Sequence, residues 1–163
     1  MIALQIKITK NIMNLLLASE YFDSFLVEEA TITTFNTFNI DGHIVKDFFT
    51  DDELENMPTF SSWREVRPIC FQLIKGKKTP AGFKLVLQAS SELIDQLASS
   101  EDCEVARNLI KSLVLNIRYD GEKVTCITGS SFTTFIMDKS IDKLWDSYIR
   151  QFFSKLNLDY EEV

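Results

Sequence analysis

One stretch, "LNIRYDGEKVTCITGSSFTTF" at residues 115–135, limits the fold of this chain more than any other. Together with Leu113 just before it, Leu115, Ile117 and Tyr119 fall at every second position, the period of a strand with one buried face. Asp120-Gly121 then supplies a tight hairpin turn. Val124 and Cys126 resume the alternation, and Gly129-Ser130-Ser131 predicts a second bend leading to a third strand. The expected unit is a meander.

An earlier segment, "ATITTFNTFNIDGHIVKDFF", has the same character: β-branched and aromatic residues divided by Asp41-Gly42, a second predicted hairpin turn. Ahead of it, Ile2, Leu4, Ile6 and Ile8 alternate as a strand. Thr9 is the expected cap of the helix "KNIMNLLLASEYF". After it, "REVRPICFQLI" reads as a strand with Ile69, Phe71 and Leu73 on one face and Pro68 at its start or on an edge. "FKLVLQAS" is another alternating strand. "SSELIDQLAS" is a helix capped by Ser90 or Ser91, and "SEDCEVARNLIKSL" a further helical run capped by Ser100.

The order strand, helix, strand, Asp-Gly turn, strand, strand therefore occurs twice, over about 2–75 and about 83–137. The expected fold class is α+β: tandem βαβββ units within a single domain, 1–163. A C-terminal amphipathic helix over about 140–157 follows, with Ile141, Leu144, Trp145, Tyr148, Phe152 and Leu156 on one face.

Such a pair of units resembles one domain of a DNA sliding clamp, the ring-shaped processivity factor of replicative polymerases, over roughly residues 2–137. The resemblance implies helices gathered on one sheet face and a DNA-binding accessory role. Clamp helices present Lys and Arg to DNA. Here the first helix carries Glu20 and Asp23, and the second helical region carries Glu92, Asp95, Glu101, Asp102 and Glu104. The chain also resembles an uncharacterised family of short acidic proteins from Firmicute bacteria that share the "TFNTFNIDG" type of stretch. That likeness implies a bacterial protein and no particular activity.

Charge weighs on the choice of partner. With 24 acidic and 17 basic side chains the net charge is −7, which opposes general attraction to phosphate. Lys75, Lys77, Lys78 and Lys84, within "KGKKTPAGFK", are the one concentration of positive charge. Their functional reading is a phosphate-contact loop. Their plainer reading is a solvated turn whose charges discourage edge aggregation. Trp145, Tyr148, Phe152 and Phe153 pack the terminal helix on its own sheet or, alternatively, form an interface for self-association or a protein partner.

Motifs for catalysis are absent. No P-loop, G-x-G-x-x-G or G-x-S-x-G occurs, and His43 is the single histidine. The acidic run Asp51, Asp52, Glu53 and Glu55 lacks the glycine and alternation of a calcium loop. No cofactor, metal or catalytic residue is expected. Cys70, Cys103 and Cys126 are widely spaced and read as reduced core thiols of a cytoplasmic protein. No stretch is apolar for the length of a membrane span. The expected role is a non-catalytic protein-interaction module, with a DNA accessory using the lysine loop second and an enzyme of unrecognised class third.

Overall fold

Seven strands form one antiparallel sheet in the computed structural model, which describes residues 1–163. They are β1 (Ala3–Ile6), β2 (Leu26–Thr33), β3 (Thr37–Asp41), β4 (Gly82–Gln88), β5 (Ile110–Tyr119), β6 (Val124–Phe132) and β7 (Tyr160–Glu162), in the order β3-β2-β4-β5-β6-β1-β7. The helices are α1 (Thr9–Leu17), α2 (Asp51–Leu54), α3 (Trp63–Ile74), α4 (Ser91–Ala98) and α5 (Ser140–Lys155).

Strand periodicity builds the core in rows. Ile32, Phe83, Tyr119, Val124 and Ile6 stand opposite one another across five strands. Ala30, Leu85, Ile117, Cys126 and Leu4 form the next row, and all ten residues are buried. Onto this face pack Ile12 and Leu16 of α1, Trp63, Val66 and Cys70 of α3, and Ile141, Trp145, Ile149 and Phe153 of α5. Trp63 Nε1 donates to the Leu16 carbonyl at 2.9 Å, and Trp145 Nε1 to the Val114 carbonyl at 2.9 Å. Both indoles thus satisfy their one donor while burying their rings. Thr128 and Ser130 of β6 donate to Asp146 and Asp142 of α5, a polar seam beside the apolar rows.

The α+β class and the terminal helix are as expected, but the tandem βαβββ order is not. Residues 64–74 are helical: Trp63, Val66, Cys70 and Ile74 recur at helical spacing and are buried, whereas Ile69 is exposed. Pro68 lies inside α3, where core packing of that face outweighs the lost backbone bond. No third strand follows Gly129 either. β6 runs straight through it, and the Val114 side chain occupies the space a Cβ there would need, 3.0 Å away.

Other local expectations divide. Asp120-Gly121 is the β5–β6 turn: Gly121 has φ +101, and Asp120 Oδ1 accepts from Glu122 N–H (2.9 Å) and Lys123 N–H (2.8 Å). Those donors hold the Asp120 carboxyl below its usual range. Asp41-Gly42 is no hairpin turn. The chain reverses at residues 34–36, and Gly42 directly follows β3. Ser90 caps α4 by accepting from Leu93 N–H, but Thr9 caps nothing. Ile8 occupies that cap position, and the Thr9 hydroxyl donates to the Glu122 carbonyl. The helical run expected after Ser100 is instead irregular chain, where the Glu104 N–H is taken by Ser140 Oγ at 2.9 Å, then a single 3-10 turn at Arg107–Leu109 and the start of β5.

No helix is long and apolar enough to cross a membrane. Burial pushes the Cys70 thiol up to about 12 and Cys126 up as well, so neither forms thiolate readily. Cys103 is half-buried. A maleimide at neutral pH should therefore modify Cys103 alone in the folded protein and all three cysteines in denaturant. Rapid stoichiometric labelling of Cys70 without denaturant would contradict this packing.

Candidate binding site

The connection from α3 to β4 makes a pocket of about 470 Å³ against α1. Lys75 follows the last turn of α3, its N–H donating to the Phe71 carbonyl at 2.8 Å. Gly76 then adopts φ +152, with open space where a Cβ would stand, a reversal that ordinary side chains resist. The loop is fastened again where Ala81 N–H donates to the Thr33 carbonyl at 2.9 Å. Met13, Leu17, Phe71, Ile74, Pro80 and Tyr119 give the pocket an apolar floor. Lys10, Lys75, Lys77 and Lys78 frame it.

No aspartate or glutamate lines this pocket, and none of its four lysines lies within 4 Å of a carboxylate. Elsewhere six of the other thirteen basic residues lie within 4 Å of a carboxylate. Arg67 grips Asp23 through two bonds of 2.8 and 3.0 Å, and this hydrogen bonding holds its guanidinium more firmly protonated than usual. Arg107 pairs with Asp95 and Arg150 with Glu162. In a chain of net charge −7, four unmatched ammonium groups around an apolar floor favour an anionic ligand with an apolar portion.

A larger cleft, about 900 Å³, lies over the opposite sheet face, with Ser91 and Ile94 of α4 in its lining. Both signs of charge line it, and both glutamates have partners. Lys84 Nζ is 3.8 Å from Glu29, and Gln88 Nε2 donates to Glu28 at 2.6 Å. His43 sits on one wall, its Nδ1 2.5 Å from Asp41 and its ring 4.4 Å from that of Phe60. The His43 backbone N–H, followed by its ring, holds the Asp41 carboxyl below the usual range. No serine, threonine or cysteine is hydrogen-bonded to His43, so the pair lacks the partner that nucleophilic catalysis needs. No group of three or more His, Cys, Asp and Glu is placed to hold a metal ion.

Among the residues singled out from sequence, Lys75, Lys77 and Lys78 come together in the smaller pocket, whereas Lys84 is paired in the larger cleft. It points to the other sheet face because it follows Phe83, which is buried. Trp145 is 1% exposed and Phe153 fully buried, both packed in the chain's own core. Tyr148 and Phe152 are half-buried. The rings of Trp145 and Tyr148 stack at 5.6 Å, and Phe152 meets Phe22 edge-on at 5.2 Å. Lys10 and the apolar floor were not legible as site residues. Lys10 lies 65 positions before Lys75, and only α1–α3 packing joins them.

Fold and site together define a single-sheet α+β protein with one cationic, apolar-floored pocket. The chain belongs to the family of unknown function DUF5721, whose model matches residues 15–161. No curated protein and no solved structure matches it.

Proposed function

We propose that this chain is a non-catalytic binding module that holds an acidic, apolar-anchored segment of another protein in the lysine-framed pocket. The observation that carries the reading is the set of four unmatched lysines around an apolar floor on a protein of net charge −7. Carboxylates would meet the rim while one bulky side chain fills the floor, so charge guides encounter and burial supplies affinity. Unpaired thiols, two of them buried, fit a reducing cytoplasmic setting for such a module.

The same lysines support a second reading, a clamp-like DNA accessory. With at most four phosphate contacts from this pocket, the log–log salt slope would be no steeper than about −3.6, too few contacts to overcome the acidic remainder at physiological salt. Fluorescence anisotropy with an acidic peptide containing one Phe, and separately with duplex DNA, distinguishes the two. The peptide should bind, weakening at least about tenfold when Lys10, Lys75, Lys77 and Lys78 are all changed to Gln. DNA should not bind at about 150 mM salt, where exposed charges are screened beyond about 8 Å. Tight DNA binding there, with no peptide binding, would put the DNA reading first.

A further inference from the structure

The sheet has two terminal strands, and they differ in how well they are guarded. β7 is three residues long and two of them are glutamates. β3 has five residues, "TFNID", with no proline, lysine or bulge and one carboxylate at its end. Exposed strands of this kind are templates for pairing with another strand. The chain that follows β3 does not cover that edge. Residues 59–62 enter on the inner side, where Ser61 N–H donates to the Gly42 carbonyl and the Ser61 carbonyl accepts from Val27 N–H.

The phase of the free backbone groups follows from the β2–β3 ladder. Gly42 N–H donates to the Glu28 carbonyl, so alternate residues Ile40 and Phe38 turn their backbone groups toward β2. Thr37, Asn39 and Asp41 turn theirs outward. The side chains agree: Thr33 and Thr37 hydroxyls approach to 3.2 Å, and Thr31 donates to Asn39 at 2.9 Å, the close spacing of non-hydrogen-bonded pairs on the inner side.

We infer that β3 pairs antiparallel with β3 of a second copy of this chain, about a two-fold axis through Asn39, to give one sheet continuous across a dimer. Centring on Asn39 is the register the strand itself selects. It sets Asn39 opposite Asn39 and Thr37 opposite Asp41, so that every outward N–H and carbonyl of the three residues finds a partner. It also sets Phe38 opposite Ile40 twice on the helix-covered face, where both are half-buried in one copy. The Asp41 carboxylates stand apart, each facing a threonine, so no like charges meet. Phe35 lies just before the strand and is 87% exposed, with its ring edge-on to Phe38 at 5.7 Å. It borders this seam, where a second copy would cover it. A contact of this form is isologous and closes at two copies. None of the β3 residues lines the lysine-framed pocket, and the contact does not depend on the ligand proposed for it.

Sedimentation equilibrium of the full chain, up to about 200 µM to allow for a weak contact, should show a monomer–dimer equilibrium. Asn39→Pro removes an outward donor on an edge strand, where proline is tolerated, and should raise the dimer dissociation constant at least about tenfold. Register is read by cross-linking in a Cys103→Ser background. Asn39→Cys places opposed Cα atoms about 5.5 Å apart, within disulfide range, and should form a covalent dimer on mild oxidation. Thr37→Cys alone leaves its two thiols about 14 Å apart along the strands and should not. A chain that stays monomeric throughout, a dimer indifferent to Asn39→Pro, or failure of Asn39→Cys to cross-link would each overturn the inference.

Discussion

Replacing Trp145 by alanine is expected to lower the unfolding free energy by about 3–5 kcal/mol, as for large aromatics removed from cores. The indole is 1% exposed, lies in the same buried cluster as the β4 and β5 rows, and faces Phe25 at 6.4 Å and Tyr148 at 5.6 Å. Its N–H also satisfies the Val114 carbonyl, which alanine would leave without that donor. Urea denaturation followed by circular dichroism measures the loss. A change below about 1 kcal/mol, in the range typical of surface sites, would mean that α5 does not pack on this sheet as described.

Gly42→Ala should be as damaging, for a different reason. A Cβ at residue 42 would lie 1.6 Å from the Val27 carbonyl oxygen and 2.6 Å from its carbon. Both are backbone atoms, so no rotamer change relieves the clash, and the strands must part. Parting them loses the Gly42–Glu28 backbone bond, which joins the end of β3 to β2, and the Ser61–Gly42 bond, which holds residues 59–62 to the sheet. The expected cost is about 3 kcal/mol or more, above the ordinary range for overpacking. Gly76→Ala offers a contrast: its φ is +152 but nothing lies within 4 Å, so about 1 kcal/mol of backbone cost is expected there. Equal losses at the two glycines would contradict the close approach at Gly42.

The contrast also explains what was legible beforehand. Asp120-Gly121 was read correctly because its geometry is local: one side chain binding the next two N–H groups and a left-handed glycine. Asp41-Gly42 has the same letters, but its glycine answers to Val27 fifteen residues earlier, a constraint no local pattern carries. Residues 64–74 alternate well enough to pass for a strand, yet Trp63, Val66, Cys70 and Ile74 also fit a helix, and α1 decided between them by receiving the Trp63 N–H. The lysines fared likewise. Lys75, Lys77 and Lys78 are neighbours in sequence and stayed neighbours, while Lys84 was turned to the opposite face by strand alternation. Lys10 joined them only through folding.

The most direct test is amide chemical-shift mapping of the full chain titrated with the Phe-containing acidic peptide. A binding site at the lysine-framed pocket requires shifts concentrated at Lys10, Met13, Phe71, Gly76, Lys77 and Tyr119, absent from the four-lysine-to-glutamine variant. Shifts gathered instead around Lys84, Gln88 and Asn116 on the open sheet face, or none at millimolar peptide, would contradict it.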